Sequence, residues 1–258
     1  MDIFEHRFLT THQIFQLHFP SYVRARARTF ELFQLGVLDR FRPPQRPGSM
    51  PWHYVLGRLG VRMVNSSQDA DVDKVYFRRN RPSRLAQSTR LRHMRQINDF
   101  FCSLVYGCRQ SPELRLIKWR GETRSMRFCH GVVRPDGMGE LGELSKITEF
   151  FFELDRGTED ARRLENKLVD YEEAVLSKHL PRILLFCFLT ERRQHAARMG
   201  LRSNRLTVAT STLERHLANP LGPNWLIGGQ ERLVPIMHIS EPKNPLDTGE
   251  TTPPGWKT

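Results

Sequence analysis

The run Thr148-Glu149-Phe150-Phe151-Phe152-Glu153-Leu154-Asp155-Arg156 admits few folds. Three consecutive phenylalanines leave an extended segment with no polar face, so it needs cover on both sides, as in the centre of a mixed sheet. Two acids follow, separated by Leu154. Alternation along a strand puts Glu153 and Asp155 on one side of its end, where like charges require a cation or an arginine. Earlier in the chain, Asp136 stands on a turn in Arg134-Pro135-Asp136-Gly137. Oxygen donors in this pattern suit a hard divalent cation, Mg²⁺ or Mn²⁺, and so suggest chemistry on phosphodiesters. The competing reading is a structural cluster in which Arg156 or another arginine neutralises the acids.

The flanking sequence alternates between helix and strand periods. A helix is predicted over 86–107, with Leu91, Met94, Ile97, Phe101 and Leu104 on one face. Strands are predicted over 114–119, over 126–134 ending before Pro135, and over 148–154. A helix over 159–177 carries the stripe Leu164, Leu168, Tyr171, Val175, and a strand over 182–189, a helix over 190–200 and a strand over 206–210 follow. The predicted order from residue 86 is therefore α-β-β-β-α-β-α-β. Gly137, Gly139 and Gly142 read as loop glycines, and no Gly-Lys-Ser/Thr follows to make a phosphate-binding loop. His93, beside the apolar stripe of its helix, reads as a packed or partly exposed residue rather than a site residue.

The amino-terminal portion has a different character. Residues 1–95 carry 17 Lys/Arg against 7 Asp/Glu, whereas residues 96–258 carry 23 against 21. Such a basic portion beside a nearly neutral one points to a polyanion-binding module joined to something else; the alternative is a solvated arginine-rich surface. Thr10 followed by Gln13 is a capping-box signal for a helix over 9–19, broken at Phe19-Pro20-Ser21. Ser21 caps a second helix over about 22–36, with Val23, Ala27 and Phe30 as its predicted apolar stripe, flanked by Arg24, Arg26 and Arg28. Two short strands around a Pro/Gly tip follow, bearing Arg42 and Arg46, and then a short helix. The ensemble reads as a winged helix-turn-helix that contacts double-stranded DNA through Arg24, Arg26, Arg28, Arg42 and Arg46.

The predicted organisation is a winged helix-turn-helix over 1–66, a linker over 67–85, an α/β core over 86–239 and a mobile tail over 240–258. The four cysteines lack paired metal spacing, and Cys102 and Cys187 lie in apolar runs as core thiols. With no secretory signal and no apolar run of membrane-spanning length, a cytoplasmic location without a membrane partner is expected.

The core, with an acid at its second strand and Glu153-Leu154-Asp155 at the end of its third, resembles the PD-(D/E)xK nuclease superfamily. That resemblance implies a restriction-endonuclease-like fold and an endodeoxyribonuclease in which Asp136, Glu153 and Asp155 hold Mg²⁺ or Mn²⁺. The superfamily's lysine would stand at Asp155. Arg156 is a poor base because guanidinium does not deprotonate in proteins. Lys167, four residues before Tyr171 on one side of the next helix, is the candidate migrated lysine; the bland reading is a solvated charge.

At closer range the chain resembles the replication-relaxation family of plasmid and mobile-element proteins. The resemblance rests on Leu9-Thr10-Thr11-His12-Gln13-Ile14, Tyr54, His93 with Ile97-Asn98-Asp99, Arg134-Pro135-Asp136, and Glu153 to Glu159 followed by Lys167 and Tyr171. It implies a DNA-binding protein of plasmid replication or transfer, either a Mg²⁺-dependent nicking nuclease or a non-catalytic regulator with a nuclease-like scaffold. A homodimer is compatible with either.

Overall fold

The structure is a computed structural model that describes residues 2–44, 48, 50–65, 80–157, 160–177 and 180–242. At its amino terminus, α1 (Asp2–His6) and the short β1 (Leu9–Thr10) lead into α2 (Thr11–His18). Thr10 opens α2 as its spacing to Gln13 predicts: the Thr10 hydroxyl accepts from the Gln13 amide, and the Gln13 side chain accepts from the Thr10 amide. Ser21 likewise caps α3 (Tyr22–Gln34). Gly36, at φ 69°, turns the chain toward β2 (Leu38–Phe41), which pairs antiparallel with β3 (His53–Leu56). β1 pairs with the other edge of β3, and α4 (Arg58–Asn65) follows.

The apolar stripe expected on α3 is not its buried face. Val23 is 76% exposed and Phe30 45%, whereas Ala25 and Thr29 are buried. The buried positions also have helical spacing and continue to Leu32 and Phe33, which pack partly against the core. Small residues win because they let α2 and α3 approach closely, and the Thr29 hydroxyl is satisfied internally by donating to the Ala25 carbonyl at 2.9 Å. The larger apolar side chains are left facing outward beside Arg24, Arg26 and Arg28.

Beyond the short α5 (Pro82–Ala86), the long α6 (Leu91–Gln110) buries Leu91, Met94, Ile97, Phe101 and Leu104, as its period predicts. Then come β4 (Leu114–Gly121), α7 (Glu122–Phe128), β5 (Gly137–Glu143), β6 (Lys146–Asp155), α8 (Ala161–Ser177), β7 (Ile183–Phe188), α9 (Glu191–Arg198) and β8 (Thr207–Thr212). α10 (Leu213–Ala218), β9 (Trp225–Ile227) and β10 (Leu233–Val234) lie beyond the last element that the period located. The main sheet has seven strands in the order β10-β9-β8-β7-β6-β5-β4; β6, β7 and β8 are parallel and the other pairings antiparallel. It is a mixed α/β architecture with a central mixed sheet.

The strand expected over 126–134 does not form. Helix α7 occupies the start of that stretch, and a turn with His130 at φ 55° and Gly131 at φ 79° ends it. The second strand is instead β5, whose glycines had the look of a loop. They are there for space: a Cβ on Gly137 would lie 2.4 Å from the Trp119 ring, and one on Gly139 2.3 Å from Phe150. Bulky side chains of the neighbouring strands fill the room that β5 leaves, so its sequence carries no apolar alternation.

The phenylalanines of β6 are fully buried on both faces, as the run predicts. Phe150, Phe152 and Leu154 face α6 and α10, where Phe100 stacks on Phe152 at 3.8 Å between ring centroids. Phe151 faces α8, with the Tyr171 ring 4.8 Å away, among Leu164, Leu168 and Ala197. The amino-terminal elements join the first of these clusters through Leu9, Ile14 and Leu17. Their polar ties to α6 are partly or fully buried: Gln13 Nε2 donates to the half-buried Asp99 at 2.6 Å and Asn98 Nδ2 to the Phe8 carbonyl at 2.8 Å. The expected linker falls largely among residues outside those described, as does the tail beyond residue 242. Among the described residues no helix is long and apolar enough to cross a membrane.

Phe152→Ala should lower the free energy of unfolding by about 3–5 kcal/mol in chemical denaturation, whereas Val23→Ser should change it by no more than about 0.5 kcal/mol. A loss below about 1 kcal/mol at Phe152 would contradict burial on both faces.

Candidate functional site

The period-two geometry of β6 carries its last acids toward the same helical layer as Phe151. Glu153 is 1% exposed and receives two donors from α8: Lys167 Nζ at 2.7 Å on Oε2 and the Tyr171 hydroxyl at 2.5 Å on Oε1. The i, i+4 spacing of Lys167 and Tyr171 delivers both from one side of the helix. Asp155, also buried, accepts from Arg193 Nε of α9 at 2.7 Å and from the Gly157 amide at 2.6 Å. Asp136 approaches from the turn before β5. Its Oδ2 accepts the Leu154 amide at 2.9 Å, which pins the turn to β6, and its Oδ1 lies 3.0 Å from His93 Nε2 on α6.

His93, Asp136, Glu153, Asp155 and Lys167 line one cleft of about 500 Å³, bounded also by Arg90, Glu122, Arg134 and Arg156. Asp136, Glu153, Asp155 and Lys167 are thus brought together, as the resemblance to the nuclease superfamily implies. Arg156 does not neutralise the acids; Arg193 does so for Asp155. Burial, with a further contribution from the Asp136 charge, pushes the Glu153 carboxyl from its ordinary 4.5 up to about 7, against the opposing pull of Lys167. Both donors on Glu153 address its ionised form, so the charge at the centre of the cleft is set near neutral pH.

The arrangement does not match a ready cation site. All six oxygens of the three carboxylates already accept a hydrogen bond or face an ion-pair partner within the protein. Among the described residues no group of three His, Cys, Asp or Glu side chains is placed to hold a metal ion. Mg²⁺ or Mn²⁺ would have to share these oxygens with His93, Lys167 and Arg193, using their second lone pairs.

The model of the replication-relaxation family matches residues 1–182. The chain belongs to the replication-relaxation family. No curated protein and no solved structure matched it. The matched stretch takes in the amino-terminal elements, the cleft residues His93, Asp136, Glu153, Asp155 and Lys167, and Tyr171 behind them; Arg193 lies beyond it.

A second candidate surface in this family member is basic. Arg24, Arg26 and Arg28 are exposed on α3, with Arg28 paired to Glu31 at 2.7 Å. The Arg42 guanidinium lies 4.2 Å from the centroid of Trp52, and Arg40 lies 4.1 Å from both Trp52 and Phe33. These cation–π contacts fix the β2–β3 hairpin against the end of α3. Arg46 lies outside the described residues.

Sequence reasoning discounts one residue of the site and misses another. His93 sits one position before the buried Met94 and is partly covered, so its sequence context is that of an ordinary helix flank. Arg193 is one of many arginines, and only the parallel pairing of β6 with β7 carries α9 to the end of β6.

Because its folded-state pKa is raised, Glu153 holds a proton in the native chain that the unfolded chain releases between about pH 4.5 and 7. Its contribution to stability is therefore lost as pH rises through that window. The stability of the wild type relative to Glu153→Gln should fall from about pH 4.5 to about pH 7 and then level, measured by urea denaturation at each pH. A difference that is flat or rises across the window would contradict the burial of this carboxyl.

Proposed function

We propose that the chain is a DNA-binding protein acting in the replication or transfer of a plasmid or mobile element. Its amino-terminal elements are read as a winged helix, with α3 as the groove-facing helix and the β2–β3 hairpin as the wing. The observation that carries this reading is the outward face of α3. There Arg24, Arg26 and Arg28 stand beside Val23 and Phe30, which the core leaves exposed although their size would favour burial. Cations with interleaved apolar groups suit a phosphate backbone and the base edges beside it. Arg42, held on Trp52, would extend the contact along the backbone.

The core is read as PD-(D/E)xK-like, and its cleft has two readings. The placement of Lys167 on Glu153 favours a nuclease, since an amine from α8 supplies what position 155 lacks. A divalent cation, where bound, would supply water activation and charge neutralisation at phosphorus. The engagement of each of the six carboxylate oxygens by a donor or ion-pair partner within the protein favours the second reading, a scaffold without cleavage. The regulator with a nuclease-like scaffold is the reading that the geometry as folded supports better.

Binding to duplex DNA should weaken steeply with salt, and Arg24→Gln with Arg26→Gln should lower the slope of log K against log salt by about two units. Fluorescence anisotropy from low to moderate salt measures this, and a flat dependence sinks the DNA assignment. In a supercoiled-plasmid assay with Mg²⁺ or Mn²⁺, the scaffold reading expects no nicking. Nicking by the wild type that Glu153→Gln abolishes would establish the nuclease instead.

A further inference from the structure

The charges in the cleft do not balance. Its four carboxylates each have a nitrogen partner: Glu122 has Arg90 at 3.1 Å, Asp136 has His93 at 3.0 Å, Glu153 has Lys167 at 2.7 Å and Asp155 has Arg193 at 2.7 Å. Two more arginines, Arg134 and Arg156, line the same cleft. Among the described residues neither forms an ion pair. Arg134 donates to the Met126 thioether at 3.2 Å, a weak acceptor.

Arg156 is the sharper case. Its Nε is buried and has no hydrogen-bond partner. Guanidinium stays charged at any physiological pH, so Arg156 keeps a positive charge at the cleft wall. The sequence leaves open whether Arg156 or another arginine answers the acids. That role is taken by Arg193, which frees Arg156 for something that is not part of the protein.

We propose that Arg134 and Arg156 form a subsite for a phosphate group inside the carboxylate cleft. The guanidinium fork matches the paired oxygens of a phosphate or phosphodiester, and the two arginines supply the positive charge that such an anion needs beside four acids. A cleft of about 500 Å³ has room for a phosphate with its sugar. The source assigned to the phosphate, a nucleic-acid backbone, rests on the DNA-binding reading; the anion chemistry does not. The core would then grip a strand that α3 and the hairpin recruit, whether or not it cuts.

The full chain should be titrated with inorganic phosphate and, separately, with a short single-stranded oligonucleotide, with binding followed calorimetrically. Both should bind, and Arg156→Gln should weaken both by about tenfold or more. Arg134→Gln should do the same from another part of the cleft, which covers the case that one variant fails to fold. If inorganic phosphate binds in an Arg156-dependent way and the oligonucleotide does not bind, the subsite stands and the nucleic-acid source fails. If phosphate binds equally to wild type, Arg156→Gln and Arg134→Gln, or not at all, the subsite is overturned, whatever the oligonucleotide does.

Discussion

A strand with phenylalanine on both faces is stable only where two layers close over it, and β6 is such a strand. Phe152 needs Phe100 on one side and Phe151 needs Tyr171 on the other, so α6 and α8 must lie on opposite faces of the sheet. The same alternation decides where the acids go. Glu153 and Asp155 share the parity of Phe151 and therefore meet the layer of α8 and α9. The amino-terminal elements depend on the opposite face, since Ile14 and Leu17 join the cluster built around Phe100.

Electrostatics in the cleft follows from that burial. A carboxylate as covered as Glu153 survives only with donors at both oxygens, and α8 provides them four residues apart. Asp136 serves structure as much as chemistry: it ties the turn before β5 to the Leu154 amide and takes His93 from the far helix. Pairing at every acid makes the cleft self-sufficient as folded. It also leaves Arg134 and Arg156 as surplus cations in a place where an anion can reach them.

What was legible in the sequence is unequal across the chain, for physical reasons. The stripes of α6 and α8 were legible because each helix buries one face against large side chains. The stripe of α3 was misread because its buried face uses Ala25 and Thr29, where close approach matters more than apolar area. The glycines of β5 were misread because a strand can contribute space as well as side chains, and Trp119 and Phe150 occupy that space. Strand alternation pairs Glu153 with Asp155 and helical spacing pairs Lys167 with Tyr171, because both rules are local; the resemblance to the nuclease superfamily is what joins Lys167 to the acids.

Local periodicity by itself determined that β6 is central, that its terminal acids face one way, that Thr10 and Ser21 begin helices, and that the basic charge collects in the amino-terminal portion. Only the tertiary structure decided which cation answers which acid. Asp155 takes Arg193 rather than its neighbour Arg156, because β6 and β7 run parallel and bring α9 to that strand end. Ion pairing is a matter of distance in space, and adjacent residues of a strand point to opposite faces. Sequence spacing therefore says which charges can share a face but not which of them meet.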